Sequence, residues 1–131
     1  MSRMFLAALT VSAPAAALDF IVMADWGGQI SEPYTTGEEL ATAKGMAKHA
    51  RATNASFVLA VGDNFYNKGV KSVDDQRFKT TFEDVFSSTD LDMPFYVAVG
   101  NHDHFGNVQA QVTSPRRGSQ RVCSDCSLRA A

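Results

Sequence analysis

This sequence of 131 residues carries few signs of cross-linking, of a membrane span or of nucleic-acid binding. Its only cysteines are Cys123 and Cys126, near the C-terminus. No second C-x-x-C, paired histidine or βαβ pattern accompanies them, so a zinc or redox module lacks its usual context. No apolar run reaches the roughly 18 residues of a spanning helix, which argues against a transmembrane protein. The net charge of −2 gives no reason to expect nucleic acid as a partner. What is present is ordinary for a globular chain: 45% hydrophobic and 20% charged residues argue against wholesale disorder. The length fits one small domain.

The charge is unevenly spread. Residues 1–111 hold 8 Lys/Arg against 13 Asp/Glu, a balance of −5. Residues 112–131 hold Arg116, Arg117, Arg121 and Arg129 against Asp125 alone, a balance of +3. That stretch has no apolar period and reads as a divergent basic tail, disordered or foreign to the rest. At the other end, Arg3 precedes the apolar run Met4–Val11 and the small-residue exit Ser12–Ala17. This is the pattern of a signal peptide over residues 1–17, cleaved after Ala15 or Ala17. It predicts a secreted or lysosomal protein, in which Asn54-Ala55-Ser56 could be glycosylated.

Between these ends three short apolar runs each stop at glycine. They are Phe20–Ala24 before Gly27-Gly28, Phe57–Val61 before Gly62, and Phe95–Val99 before Gly100. Each reads as a buried strand. Thr35 with Glu38, and Thr36 with Glu39, have capping-box spacing, and Leu40, Ala43, Met46, Ala47 and Ala50 keep a helical period. That predicts a helix over about 37–52. A second helix is expected from Ser72 or Asp74 to Phe86, with Phe78, Phe82, Val85 and Phe86 on one packing face. The order β-α-β-α-β with unalternated strands predicts an α/β fold, a parallel sheet with helices covering its faces.

The strand ends carry the chemistry. Asp25 follows the first strand, Asp63 and Tyr66 follow the second, and Asn101, His102, Asp103 and His104 follow the third. Open parallel sheets bind ligands beyond the carboxyl ends of their strands, so these three clusters should meet at one edge. Asp and Asn oxygens suit hard cations. A phenolate ligand needs a strongly acidic metal, because free Tyr titrates near 10, and ferric iron is the natural candidate. Asp63 could bridge two ions about 3.5–4 Å apart. His49 sits mid-helix with no cluster near it and reads as a solvated or structural residue.

Asp25-Trp26-Gly27, Gly62-Asp63-Asn64-Phe65-Tyr66 and Gly100-Asn101-His102-Asp103-His104 resemble the first three metal motifs of calcineurin-like metallophosphoesterases. Tyr66 in the second motif narrows the resemblance to purple acid phosphatases, and the surroundings look most like their small mammalian-type members. It covers residues 18–111 as the N-terminal half of a four-layer sandwich. The resemblance implies hydrolysis of phosphate monoesters, phosphoproteins included, at acid pH by a monomer. It implies Asp25 and Tyr66 as ligands of Fe(III), Asp63 as the bridge, and Asn101 as a ligand of a divalent ion, Fe(II) or Zn. His102 would position the phosphate and protonate the leaving alkoxide, with Asp103 orienting His102.

The family has two further motifs, which supply three more histidine ligands and have no counterpart in these 131 residues. A truncated chain of this kind is expected to bind metal weakly, to be poorly stable and to have little phosphatase activity. The alternative is a non-catalytic secreted isoform or fragment that binds metal, phosphate or a protein partner.

Overall fold

The computed structural model describes residues 17–113. The expected signal peptide up to residue 16, and the basic segment from residue 114 with Cys123 and Cys126, lie outside the described residues.

Three parallel strands form one sheet in the order β1 (Ile21–Met23), β2 (Val58–Val61), β3 (Phe95–Ala98). The register pairs Ile21 with Val58 and Val58 with Phe95. Each strand is shorter by one or two residues than its apolar run. Helix α1 (Gly37–Thr53) joins β1 to β2. Of the two possible capping boxes, the one used is Thr36 with Glu39: the Thr36 Oγ1 accepts from the Glu39 amide at 3.1 Å. Asn54 closes the helix in the left-handed conformation at φ 54°.

The expected second helix is not regular. Residues Phe78–Glu83 form a π-helical turn, in which the Asp84 amide donates to the Lys79 carbonyl, five residues back. A 3₁₀ turn follows at Thr89–Leu91. Asp75 offers the physical reason. Its carboxylate accepts from the Lys71 and Arg77 amides, so side-chain bonds replace the first turns of the expected helix. The aromatic face still forms: Phe82 and Phe86 pack on Phe95 of β3 and on Trp26, and Phe78 packs on Phe65.

The sheet is covered on one face only among the described residues, which corrects the expectation of helices on both. Met23, Val58, Ala60 and Phe95 face the core with Ala43, Met46, Ala47 and Ala50 of α1. The register places Val22, Leu59 and Tyr96 on the opposite side, where Val22 and Val61 are more than half exposed. Phe20, Phe57 and Tyr96 form a run of ring contacts along this bare face. A 3₁₀ turn (Asp103–Phe105) and a short helix α2 (Val108–Thr113) follow β3. No helix among the described residues is long and apolar enough to cross a membrane.

Candidate metal centre

All three strands point their carboxyl ends the same way, and backbone bonds tie those ends together. The Asp25 amide donates to the Gly62 carbonyl at 3.1 Å, and the Tyr66 amide to the Gly27 carbonyl at 3.1 Å. Asp25 and Asp63 both adopt left-handed backbone, φ 57° and 51°. Non-glycine residues rarely do so, and such strain is kept where the surroundings enforce it. Gly62 has φ 117°, and its backbone lies so close to Gly100 that an added Cβ would stand 2.9 Å from the Gly100 Cα. At Gly100 a Cβ would come within 2.2 Å of Asp63 Oδ1. Glycine at these two turns lets the ends of β2 and β3 close on one carboxylate.

The donors meet at Tyr66. Its hydroxyl donates to Asp25 Oδ1 at 2.5 Å and lies 3.2 Å from Asp63 Oδ2. The hydrogen bond to Asp25, then burial and the charges of both carboxylates, raise the Tyr66 phenol above its ordinary value of 10. A cation entering here would displace that proton. Neither Asp25 nor Asp63 takes part in an ion pair among the described residues. Two carboxylates and a phenol held together without a counter-charge fit a hard, strongly acidic cation. No group of three His, Cys, Asp or Glu side chains that could hold a metal converges among the described residues; the oxygens that meet are those of Asp25, Asp63 and the Tyr66 phenol. Asn101 is exposed and stands between Gly100, packed against Asp63, and His102, whose amide donates to Asp63 Oδ1 at 3.0 Å.

His102 lies beside this cluster, its ring 4.7 Å from that of Tyr66. The Nδ1 atom faces the Asn67 carbonyl at 2.8 Å. A carbonyl only accepts, so Nδ1 carries the proton and the neutral ring keeps its lone pair on Nε2.

Asp103 does something other than hold the His102 ring. It is fully buried, and its carboxylate accepts from the amides of Asn64 (3.0 Å), Phe65 (3.2 Å) and Gly100 (2.8 Å) and from Gln111 Nε2 (2.9 Å). It fixes the loops after β2 and β3 relative to each other, and so acts on His102 through the backbone. His49 and His104 are exposed, and neither side chain makes a hydrogen bond or ion pair among the described residues.

Several residues around the site are given no part in it by the sequence, although Asn64 stands inside the second motif. Asn64 is fully buried; it accepts from Trp26 Nε1 at 3.1 Å and donates to the Ala98 carbonyl at 2.7 Å and to Gln111 Oε1 at 3.2 Å. Glu39 lines a cavity of about 220 Å³ with Asp25 and Tyr66. A larger groove of about 690 Å³ runs past Asn67, Lys68, Lys71, Arg77 and Phe105, next to His102. Their roles at the site are not legible in the sequence, because each owes its place to tertiary packing.

The family model of calcineurin-like phosphoesterases matches residues 18–125. Human tartrate-resistant acid phosphatase type 5 is 50% identical over 97 residues, 73% of this chain and 30% of that protein. The rat protein of the same name is 48% identical over 102 residues, 77% and 31% respectively. Purple acid phosphatase 4 of Arabidopsis thaliana is 33% identical over 112 residues, 84% of this chain and 32% of the plant protein. Among solved structures, one titled "GAP50 the anchor in the inner membrane complex of Plasmodium" superposes with a TM-score of 0.65 at 32% identity, over 72% of this chain and 29% of that one. The chain spans about a third of the length of the curated relatives it matches.

Proposed function

Because the chain belongs to the calcineurin-like phosphoesterases, we propose that it contributes the first part of an acid phosphatase site acting on phosphate monoesters, phosphoproteins included. The observation that carries this reading is the meeting of Asp25, Asp63 and Tyr66 at one phenol oxygen, with no ion pair to either carboxylate among the described residues. Asp25 and Tyr66 would hold Fe(III), Asp63 would bridge, and Asn101 would reach a divalent ion, Fe(II) or Zn. Bound there, the two ions supply charge neutralisation for the phosphoryl oxygens and a water nucleophile at acid pH.

The chain's own residues do the rest. The Asn67 carbonyl keeps the proton of His102 on Nδ1, so Nε2 is the atom free to meet a phosphate oxygen. A proton on Nε2 would be placed to pass to the leaving alkoxide. The backbone bond from His102 to Asp63 Oδ1 fixes the imidazole relative to the bridging carboxylate. Asp103 keeps both loops in place. The protein is proposed to be secreted or lysosomal, in keeping with the leader pattern of residues 1–17.

Four donors hold two ions weakly, since ligand count sets affinity. The 131-residue chain by itself is therefore expected to show little turnover.

A second reading is favoured by the bare sheet face and by the anchor named in the structural neighbour's title. In it the chain is a non-catalytic module that binds metal or a protein partner. Metal content and hydrolysis of p-nitrophenyl phosphate at acid pH, measured on one purified sample, separate the two. Slow turnover lost in Asp63→Ala supports the phosphatase reading. Retained metal with no turnover supports the second reading.

A further inference from the structure

Arg77 is a buried cation outside the motifs. It is 8% exposed and lines the groove that also holds Asn67 and Phe105, two neighbours of His102. Its Nη1 donates to the Tyr66 carbonyl at 2.7 Å. Its Nε is 3.6 Å from Asp75 Oδ1, and its guanidinium carbon stands 5.7 Å from the centre of the Phe65 ring. Asp75 is itself anchored by the Lys71 and Arg77 amides.

Burying a charge is costly, and a buried ion pair is weak evidence for stability. What this pair does have is a fixed direction. The planar guanidinium is held by Asp75 and by the Phe65 ring, and its fork presents one N–H to the Tyr66 carbonyl. The next carbonyl along the chain, that of Asn67, receives Nδ1 of His102. Two successive carbonyls are therefore engaged, one by the buried cation and the other by the imidazole. Tyr66 is further pinned at its amide by Gly27.

We infer that Arg77 is a positioning residue: it clamps the Tyr66–Asn67 segment, and through it sets the Tyr66 phenol and the Nδ1–H form of His102 in register with Asp63. The inference rests on the roles proposed above for Tyr66 and His102. A lysine in this place would give a point charge without the fork, and a methionine would give the stem without the charge.

The test is nitrogen-15 NMR of the three histidines in the chain without metal or substrate. In the parent, neutral His102 carries its proton on Nδ1. In Arg77→Met, His102 is expected to shift toward the Nε2–H form favoured by free histidine, while His49 and His104 keep their signals. Arg77→Lys is expected to fall between the two. A folded Arg77→Met with an unchanged His102 pattern overturns the inference.

If neither variant folds, the parent chain itself decides. Its Arg77 guanidinium protons should exchange with water more slowly than those of Arg51, whose side chain is 74% exposed, by on the order of ten-fold. Equal exchange overturns the clamp. Both measurements are free of metal, so a chain that fails to bind metal counts against the proposed function and leaves this inference standing.

Discussion

Glu39 shows how one residue serves two ends at different pH. Its amide and Oε2 complete the capping box of α1 with Thr36. Its other oxygen, Oε1, is buried with no hydrogen-bond partner among the described residues. Burial raises its carboxyl from 4.5 to about 7, against the smaller opposing effect of the Thr36 amide. The folded chain thus holds this proton more tightly than the unfolded one. Stability from Glu39 is full below pH 4.5 and is lost as pH rises through 7. The loss amounts to as much as about 3 kcal/mol, from 1.36 kcal/mol per unit. Glu39→Gln should match the parent at acid pH and exceed it in urea midpoint above neutrality. Equal midpoints at both ends of that range would contradict the account. The capping role was legible in the Thr36–Glu39 spacing. The unpaired oxygen was not, because it depends on which side of α1 meets the sheet.

At the level of elements, the strand ends make the site and the turns after them decide its geometry. The apolar runs ended by glycine located all three strands, since buried parallel strands read as unbroken hydrophobic stretches. The same pattern could not show the irregular course of residues 72–86. There Asp75 takes backbone amides that a regular helix would have used, while the aromatic spacing that suggested a helix still fits the wider turn. Nor could it show that Asp103 serves the backbone of two loops rather than the His102 ring. The β3 turn yields a sharp prediction. A methyl group at Gly100 would stand 2.2 Å from Asp63 Oδ1 and 2.3 Å from its amide, so the Asp63 carboxylate must move. Gly100→Ala should lower iron affinity roughly 10–100-fold, as displaced support for a ligand commonly does. Its far-UV circular dichroism should stay that of the parent, because α1 lies elsewhere. Unchanged iron affinity would mean that Asp63 is not a ligand.

At the scale of the whole molecule, the dominant physical feature is a sheet with only one face covered among the described residues. Parallel sheets are almost always buried on both sides. Here Phe20, Val22, Val61 and Tyr96 remain exposed on the second side. An apolar surface of this kind favours association. The 131-residue chain should therefore bind a hydrophobic dye and self-associate as its concentration rises. Replacing Val22 and Val61 together with lysine should reduce both effects without lowering the unfolding free energy by more than about 1 kcal/mol, since exposed positions tolerate change. A parent chain that is strictly monomeric and binds no dye would contradict this.

The central claim is that Asp25, Asp63, Tyr66 and Asn101 form a metal centre in which Tyr66 is a ligand. Its most direct test is titration of the chain with Fe(III), following visible absorption from phenolate-to-iron charge transfer. The account predicts a band that appears with iron, persists in Tyr34→Phe and Tyr96→Phe, and vanishes in Tyr66→Phe. No band in the parent, or an undiminished band in Tyr66→Phe, would contradict it.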